Sequence, residues 1–137
     1  MNDVLSVLVT IHGVWRWLVL LAALAAIGAG AAVWAGQFQW RPAERVGLVF
    51  TIVLDIEVVL GILVWLLSLV QGTSLGLGLL VLHPLLMLVA VGIAHMVRVR
   101  ADRAGTDAAR ARLTTLGFLA SLVIILLAIP GLLIPAG

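Results

Sequence analysis

Six polar side chains interrupt otherwise apolar stretches of this sequence, and their types could do chemistry. They are His12, Arg16, Asp55, Glu57, His83 and His95. Imidazoles bind metal ions, imidazoles and carboxylates move protons, and a guanidinium binds carboxylate or carbonyl oxygens. The sequence contains no Cys, which excludes disulfides, Cys-ligated iron–sulfur clusters and thiolate chemistry. It also contains no HExxH motif and no nucleotide-binding glycine fingerprint.

His12 and His83 form the first candidate site. At a rise of ~1.5 Å per residue, they lie roughly 10 Å and roughly 9 Å below the outer ends of the first and third apolar segments. Two histidines at similar depth on separate, facing helices are the arrangement that haem with two axial imidazoles requires. We therefore predict that His12 and His83 bind haem iron. Two alternatives stay open: a chlorophyll-type magnesium, or simple hydrogen bonds from each imidazole to a carbonyl or polar side chain.

His95 shares a segment with His83 but cannot bind the same metal ion. The two residues are twelve positions apart, which separates them by about 18 Å along a helix and about 120° around it. No second histidine matches the depth of His95. We expect an interfacial polar residue, a lone contact or a proton-relay group.

Arg16, Asp55 and Glu57 lie at comparable depth, where an unpaired charge is costly. We expect Arg16 to pair with one of the two carboxylates, or with a haem propionate or a quinone oxygen. Asp55 and Glu57 are ~200° apart around a helix, so they cannot share one face. We expect one of these two carboxylates to lie inside the helix bundle. The other would face a crevice, meet another subunit or be protonated, and either could relay protons.

The composition places these residues in a membrane protein. The sequence of 137 residues is 64% hydrophobic and only 10% charged, against about 25% charged in a soluble domain. Its mean hydropathy is +1.31. The net charge of +2 does not indicate nucleic-acid binding, because the arginines other than Arg16 fall in short loops that membrane topology explains. Lipid is the expected solvent and partner.

The hydropathy pattern predicts an all-α fold: an integral membrane up-down bundle of four transmembrane helices in one domain. A spanning helix needs ~20 apolar residues. The expected spans cover approximately residues 4–34, 46–70, 77–97 and 113–134. Pro84 leaves the start of the third span open, because proline suits either the first turn of a helix or a kink within a membrane helix.

The arginines predict the orientation. Except for Arg16, they all lie in the first and third connections: Arg41, Arg45, Arg98, Arg100, Arg103, Arg110 and Arg112. Basic loops stay in the cytoplasm. We therefore expect a multi-pass protein of the bacterial inner (cytoplasmic) membrane with both termini outside, which requires an even number of helices.

Three stretches of this sequence, HGVWRW, LDIEVVLGILVW and HPLLMLVAVGIAH, resemble small bacterial four-helix membrane proteins catalogued as cytochrome B-like. The resemblance covers most of the chain, in the same order. It implies a b-type haem held between helices, with His12 and His83 at the family's histidine positions. Some relatives carry a histidine in the second helix where this chain has Asp55, which argues against a ligand from that helix here.

The leading functional prediction is electron transfer by a membrane b-type cytochrome-like protein or subunit, with haem b between the first and third helices and quinol as a candidate donor. Little length remains for a catalytic domain, so we expect action with other membrane subunits or as a homo-oligomer rather than as a stand-alone enzyme. One alternative is a non-redox accessory subunit of a larger membrane complex. Another is a proton- or solute-conducting protein that uses Asp55, Glu57 and His95.

Overall fold

A computed structural model describes residues 3–131, and this part of the chain is an all-α bundle of four long helices. The helices are α1 (Asp3–Trp34), α2 (Trp40–Val70), α3 (His83–Asp102) and α4 (Asp107–Ala128). A π-helical segment, Gly78–Leu82, leads directly into α3. All four helices, with that segment added to the third, are long and apolar enough to cross a membrane. The predicted four-helix membrane fold is confirmed.

The helices pack in a ring that is tight on three sides. α1 packs closely against α2 and α4, and α3 packs closely against α4. α2 and α3 meet over a shorter stretch, so the fourth side is a looser seam. The buried core combines small residues with a few large ones: Val19, Ala23, Phe50, Leu54, Ala90, Ala94, Phe118 and Ile125. The small side chains let helices approach closely, as is usual where lipid gives no hydrophobic drive for association.

Three helix ends differ from the predicted spans because hydropathy marks the part of a helix immersed in lipid, not the whole helix. α2 already begins at Trp40, and α3 continues to Asp102. α4 begins at Asp107, where the Thr106 hydroxyl accepts a hydrogen bond from the Ala109 amide at 3.1 Å. Such a cap stabilises a first turn in water. α4 ends at Ala128, and the predicted end of the fourth span at residue 134 lies outside the described residues.

The start of α3 explains the role of Pro84. Proline has no backbone N–H, so Pro84 cannot donate to the carbonyl of Leu80, as a regular helix would require. The indole Nε1 of Trp65 donates to that carbonyl oxygen instead, at 3.0 Å. The chain stays helical through this region by passing from the π-helical segment into α3. This contact also joins α2 to the π-helical segment that leads into α3.

Candidate functional site

His12 of α1 and His83 of α3 come together inside the bundle. Their ring centroids lie 6.2 Å apart, and the ring planes are nearly perpendicular at 84°. α1 and α3 are not closely packed helices, so this pair spans the interior between them. Two imidazoles that share one metal ion through bonds of about 2 Å have centroids separated by about 6 Å. The spacing therefore suits two ligands of one metal.

The orientation of His83 is fixed by the end of α4. Its Nδ1 lies 2.7 Å from the carbonyl oxygen of Ala128, the last residue of that helix. A carbonyl only accepts hydrogen bonds, so Nδ1 carries the proton and donates it. The last carbonyls of a helix lack intrahelical partners, which makes this one available. In neutral His83 the lone pair is therefore on Nε2, where a metal could bind.

His12 faces the carboxylate of Glu57. The Nδ1 of His12 lies 3.2 Å from Oε2 of Glu57, whose side chain is only 4% exposed. The two atoms are close but poorly aligned, and within residues 3–131 neither makes a well-formed hydrogen bond. A metal-binding histidine commonly has its other ring nitrogen against a carboxylate, as His12 does.

Gly61 makes room for the ring of His12. It lies one helical turn beyond Glu57 on α2, and a Cβ atom added there would stand 3.2 Å from Cε1 of His12. A methyl group at this position would press on the imidazole, because few real Cβ contacts are that short. Glu57 and Gly61 are four positions apart and share one face of α2, and both contact the candidate metal ligand His12.

The predicted ion pair between Arg16 and a carboxylate on α2 is wrong. Within residues 3–131 no carboxylate lies within ion-pair distance of Arg16, because Glu57 faces His12 and Asp55 faces His95. The guanidinium carbon lies 5.8 Å from the centroid of the Trp17 ring. Arg16 also lines a cavity beside His12 and His83. Among residues 3–131, Arg16 is therefore a cation of the site that has no acidic partner.

Two cavities flank the histidine pair. The larger, about 430 Å³, lies between α2 and α3, and its walls are mainly apolar. The smaller, about 250 Å³, lies on the side of Arg16. Six residues line both cavities: His12, Glu57, Gly61, Trp65, His83 and Met87. The histidine pair thus stands between two spaces that could receive the two sides of a large flat ligand.

Asp55 and His95 form a separate pair across the seam between α2 and α3. The Nε2 of His95 lies 2.8 Å from Oδ1 and 3.1 Å from Oδ2 of Asp55. Both side chains are nearly half exposed, at 46% and 44%. The carboxylates of Asp55 and Glu57 point to different helices, as their spacing predicts. The sequence analysis names both residues as candidates but does not predict that they contact each other.

The sequence identified four of the residues here as candidates, and the structure places all four around the smaller cavity: His12, Arg16, Glu57 and His83. The sequence did not predict the hydrogen bond from Trp65 to Leu80 or the one from His83 to the carbonyl of Ala128. Trp65 could have been found from Pro84, since a proline leaves a carbonyl free on the preceding turn. In residues 3–131 no group of three or more His, Asp or Glu side chains is placed to hold a metal ion. Two imidazoles alone suit the axial positions of a metal that a macrocycle holds.

Comparison with known proteins adds no functional assignment. No protein-family model, no curated protein and no solved structure gives a significant match to this chain. The resemblance to cytochrome B-like proteins therefore stays a prediction.

Proposed function

We propose that this protein is a membrane b-type cytochrome-like electron-transfer protein or subunit that holds one haem between His12 and His83. The observation that carries the proposal is the approach of the two imidazoles, with centroids 6.2 Å apart on separate helices. A bound haem would supply a one-electron redox centre, and axial histidine ligation is a common way to hold it.

The surroundings of the two imidazoles support axial ligation. His83 is anchored at Nδ1 by the carbonyl of Ala128, and His12 faces Glu57 with the same ring nitrogen. Partners of this kind fix the tautomer and the ring orientation of metal-binding histidines, and they raise the basicity of the ligand nitrogen. The arrangement leaves both Nε2 lone pairs for iron when His12 carries its proton on Nδ1.

Arg16 supports an anionic or strongly polar ligand in the same space. Its positive charge lacks a carboxylate partner within residues 3–131, although it lines the cavity with His12 and His83. Unpaired charges in a membrane interior are costly, so such a residue marks a functional site. The propionates of haem would supply the missing negative charge. A quinone oxygen is the alternative partner for Arg16.

We also propose a membrane and an orientation for the protein. The arginine-bearing connections would face the cytoplasm and both termini would face outward, in the inner membrane of a bacterium. Quinol is the candidate electron donor. We propose that the protein passes electrons to a partner subunit.

The test is an absorption spectrum of the purified protein after expression with added haem. We expect a Soret band and sharp alpha and beta bands in the dithionite-reduced minus oxidised spectrum. A protein that stays colourless after haem supplementation, while folded and helical by circular dichroism, would contradict the proposal. The accessory-subunit function would then be the one to pursue.

A further inference from the structure

Asp55 and His95 together present hydrogen-bond acceptors. A carboxylate accepts hydrogen bonds, so Nε2 of His95, which lies 2.8 Å from Oδ1 and 3.1 Å from Oδ2 of Asp55, carries the proton and donates it. The lone pair of the neutral imidazole is then on Nδ1, which has no hydrogen-bond donor within residues 3–131. The carboxylate also keeps unused lone pairs, since each oxygen has two. The pair therefore suits a ligand that donates hydrogen bonds, and a ligand with acceptors alone does not match it.

The pair lies where a ligand can reach it only through the membrane. Asp55 is the central residue of α2, a helix long and apolar enough to cross a bilayer. The side chains of His95 and Asp55 are 46% and 44% exposed, so they open to the outside of the bundle. Ionisable side chains at such a depth rarely face lipid without a partner, because the exposure is costly. A small ligand at this position must dissolve in lipid and carry a hydrogen-bond donor.

The pair is also adjacent to the larger cavity between α2 and α3. Val58, which lines that cavity, follows Asp55 by three positions, and Leu88, which also lines it, precedes His95 by seven. Both spacings place the two residues on the same face of their helix. The larger cavity is one of the two that flank the paired histidines of α1 and α3. A ligand at the pair would therefore lie beside the proposed haem site.

We propose that the Asp55–His95 pair binds a quinol from the lipid bilayer, with one quinol hydroxyl donating a hydrogen bond to Nδ1 of His95. A quinol dissolves in lipid, its hydroxyl is a donor, and a position beside the haem site is the one that an electron donor needs. The choice of a quinol among lipid-soluble hydroxyl compounds rests on the proposed electron-transfer function. Arg16 offers the opposite chemistry, because a guanidinium only donates and suits the carbonyl oxygens of a quinone.

The test compares two probes that differ only in their hydrogen-bond donors: a short-tailed alkyl hydroquinone and its dimethyl ether. Each probe is titrated into the protein in lipid nanodiscs, with dithionite present so that the hydroquinone stays reduced. The ¹⁵N NMR shifts of the His95 ring nitrogens report the contact, and loss of these signals in His95→Leu assigns them. We expect the hydroquinone to shift the Nδ1 signal and to bind at least several-fold more tightly than its ether. Equal binding of the two probes to the unmodified protein would overturn the proposal.

Variants then locate the site by the stabilisation that each probe gives in thermal unfolding. The preference for the hydroquinone should be lost in His95→Leu. It should fall several-fold in Asp55→Asn, because an amide can also donate to Nε2 and so no longer fixes the lone pair on Nδ1. Met96→Leu is the matched control, since it changes an exposed apolar side chain next to His95, and it should keep the preference. A preference that survives in His95→Leu and is lost in Arg16→Gln would overturn the proposal.

These measurements do not require bound haem, so the two proposals can fail separately. Selective hydroquinone binding by a colourless protein would support the site at Asp55 and His95 and contradict only the haem proposal. A protein that binds haem but does not distinguish the two probes would contradict the quinol site alone.

Discussion

The carbonyl oxygen of Ala128 accepts a hydrogen bond from Nδ1 of His83 across 2.7 Å, so the end of α4 sets the orientation of a candidate ligand on α3. A helix ends at this point because Pro130 follows and cannot continue it. The carbonyl of Ala128, at the end of α4, is therefore free to accept the hydrogen bond from His83. Because the acceptor is backbone, the orientation of His83 does not depend on any single side chain of α4.

Glu57→Gln should raise the reduction potential of bound haem. The carboxylate near Nδ1 of His12 would stabilise the ferric state of a bound haem through its negative charge, and the amide removes that charge with little change of shape. We expect an increase on the order of 60 mV, which corresponds to a tenfold change in a one-electron equilibrium. A redox titration followed at the alpha band measures it. An unchanged or lower potential would show that Glu57 does not act on the iron through His12.

Arg16→Gln should lower the reduction potential of bound haem, whereas Glu57→Gln should raise it. Loss of the positive charge beside the cavity favours the ferric state, so the potential should fall by on the order of 60 mV. Haem affinity should also fall, because the propionates would lose their cationic partner. Arg41→Gln is the control, since Arg41 is an arginine at the start of α2 outside these cavities. Equal effects of the two substitutions would argue against a specific role for Arg16.

Gly61→Ala should displace the ring of His12 and reduce haem content. The added methyl group would lie 3.2 Å from Cε1 of His12, so the ring or α2 must move by a few tenths of an ångström. Gly28→Ala in α1 is the matched control, because nothing lies within 4 Å of its Cβ position. The measurement is haem bound per chain after identical purification. Equal haem content in both variants would mean that the close approach at Gly61 is not needed.

Trp65→Phe should destabilise the start of α3, because it leaves the carbonyl of Leu80 without the indole donor. We expect a loss of about 0.5–2 kcal/mol in the free energy of unfolding. Adding Pro84→Ala restores an N–H that can donate to Leu80, so the double variant should recover part of this loss. Unfolding in mild detergent, followed by circular dichroism, gives all four stabilities of the cycle. Additive effects of the two substitutions would contradict this account of Pro84.

The sequence predicted the number of helices and the common depth of His12 and His83, because both follow from hydropathy and helix rise. It did not predict which residues pair. These helices are apolar on most sides, so the sequence does not indicate how each helix is rotated about its own axis. That rotation determines that Glu57 contacts His12 rather than Arg16. The acceptor for His83 is a backbone atom, which residue types cannot indicate.

The most direct test of the central claim is haem bound per chain in three matched variants, His12→Ala, His83→Ala and His95→Ala. All three remove one imidazole from a membrane helix, but only the first two remove one from the pair with centroids 6.2 Å apart. We expect His12→Ala and His83→Ala to lose haem or its low-spin reduced spectrum, and we expect His95→Ala to retain both. Full retention of an unaltered haem spectrum in either His12→Ala or His83→Ala would contradict it.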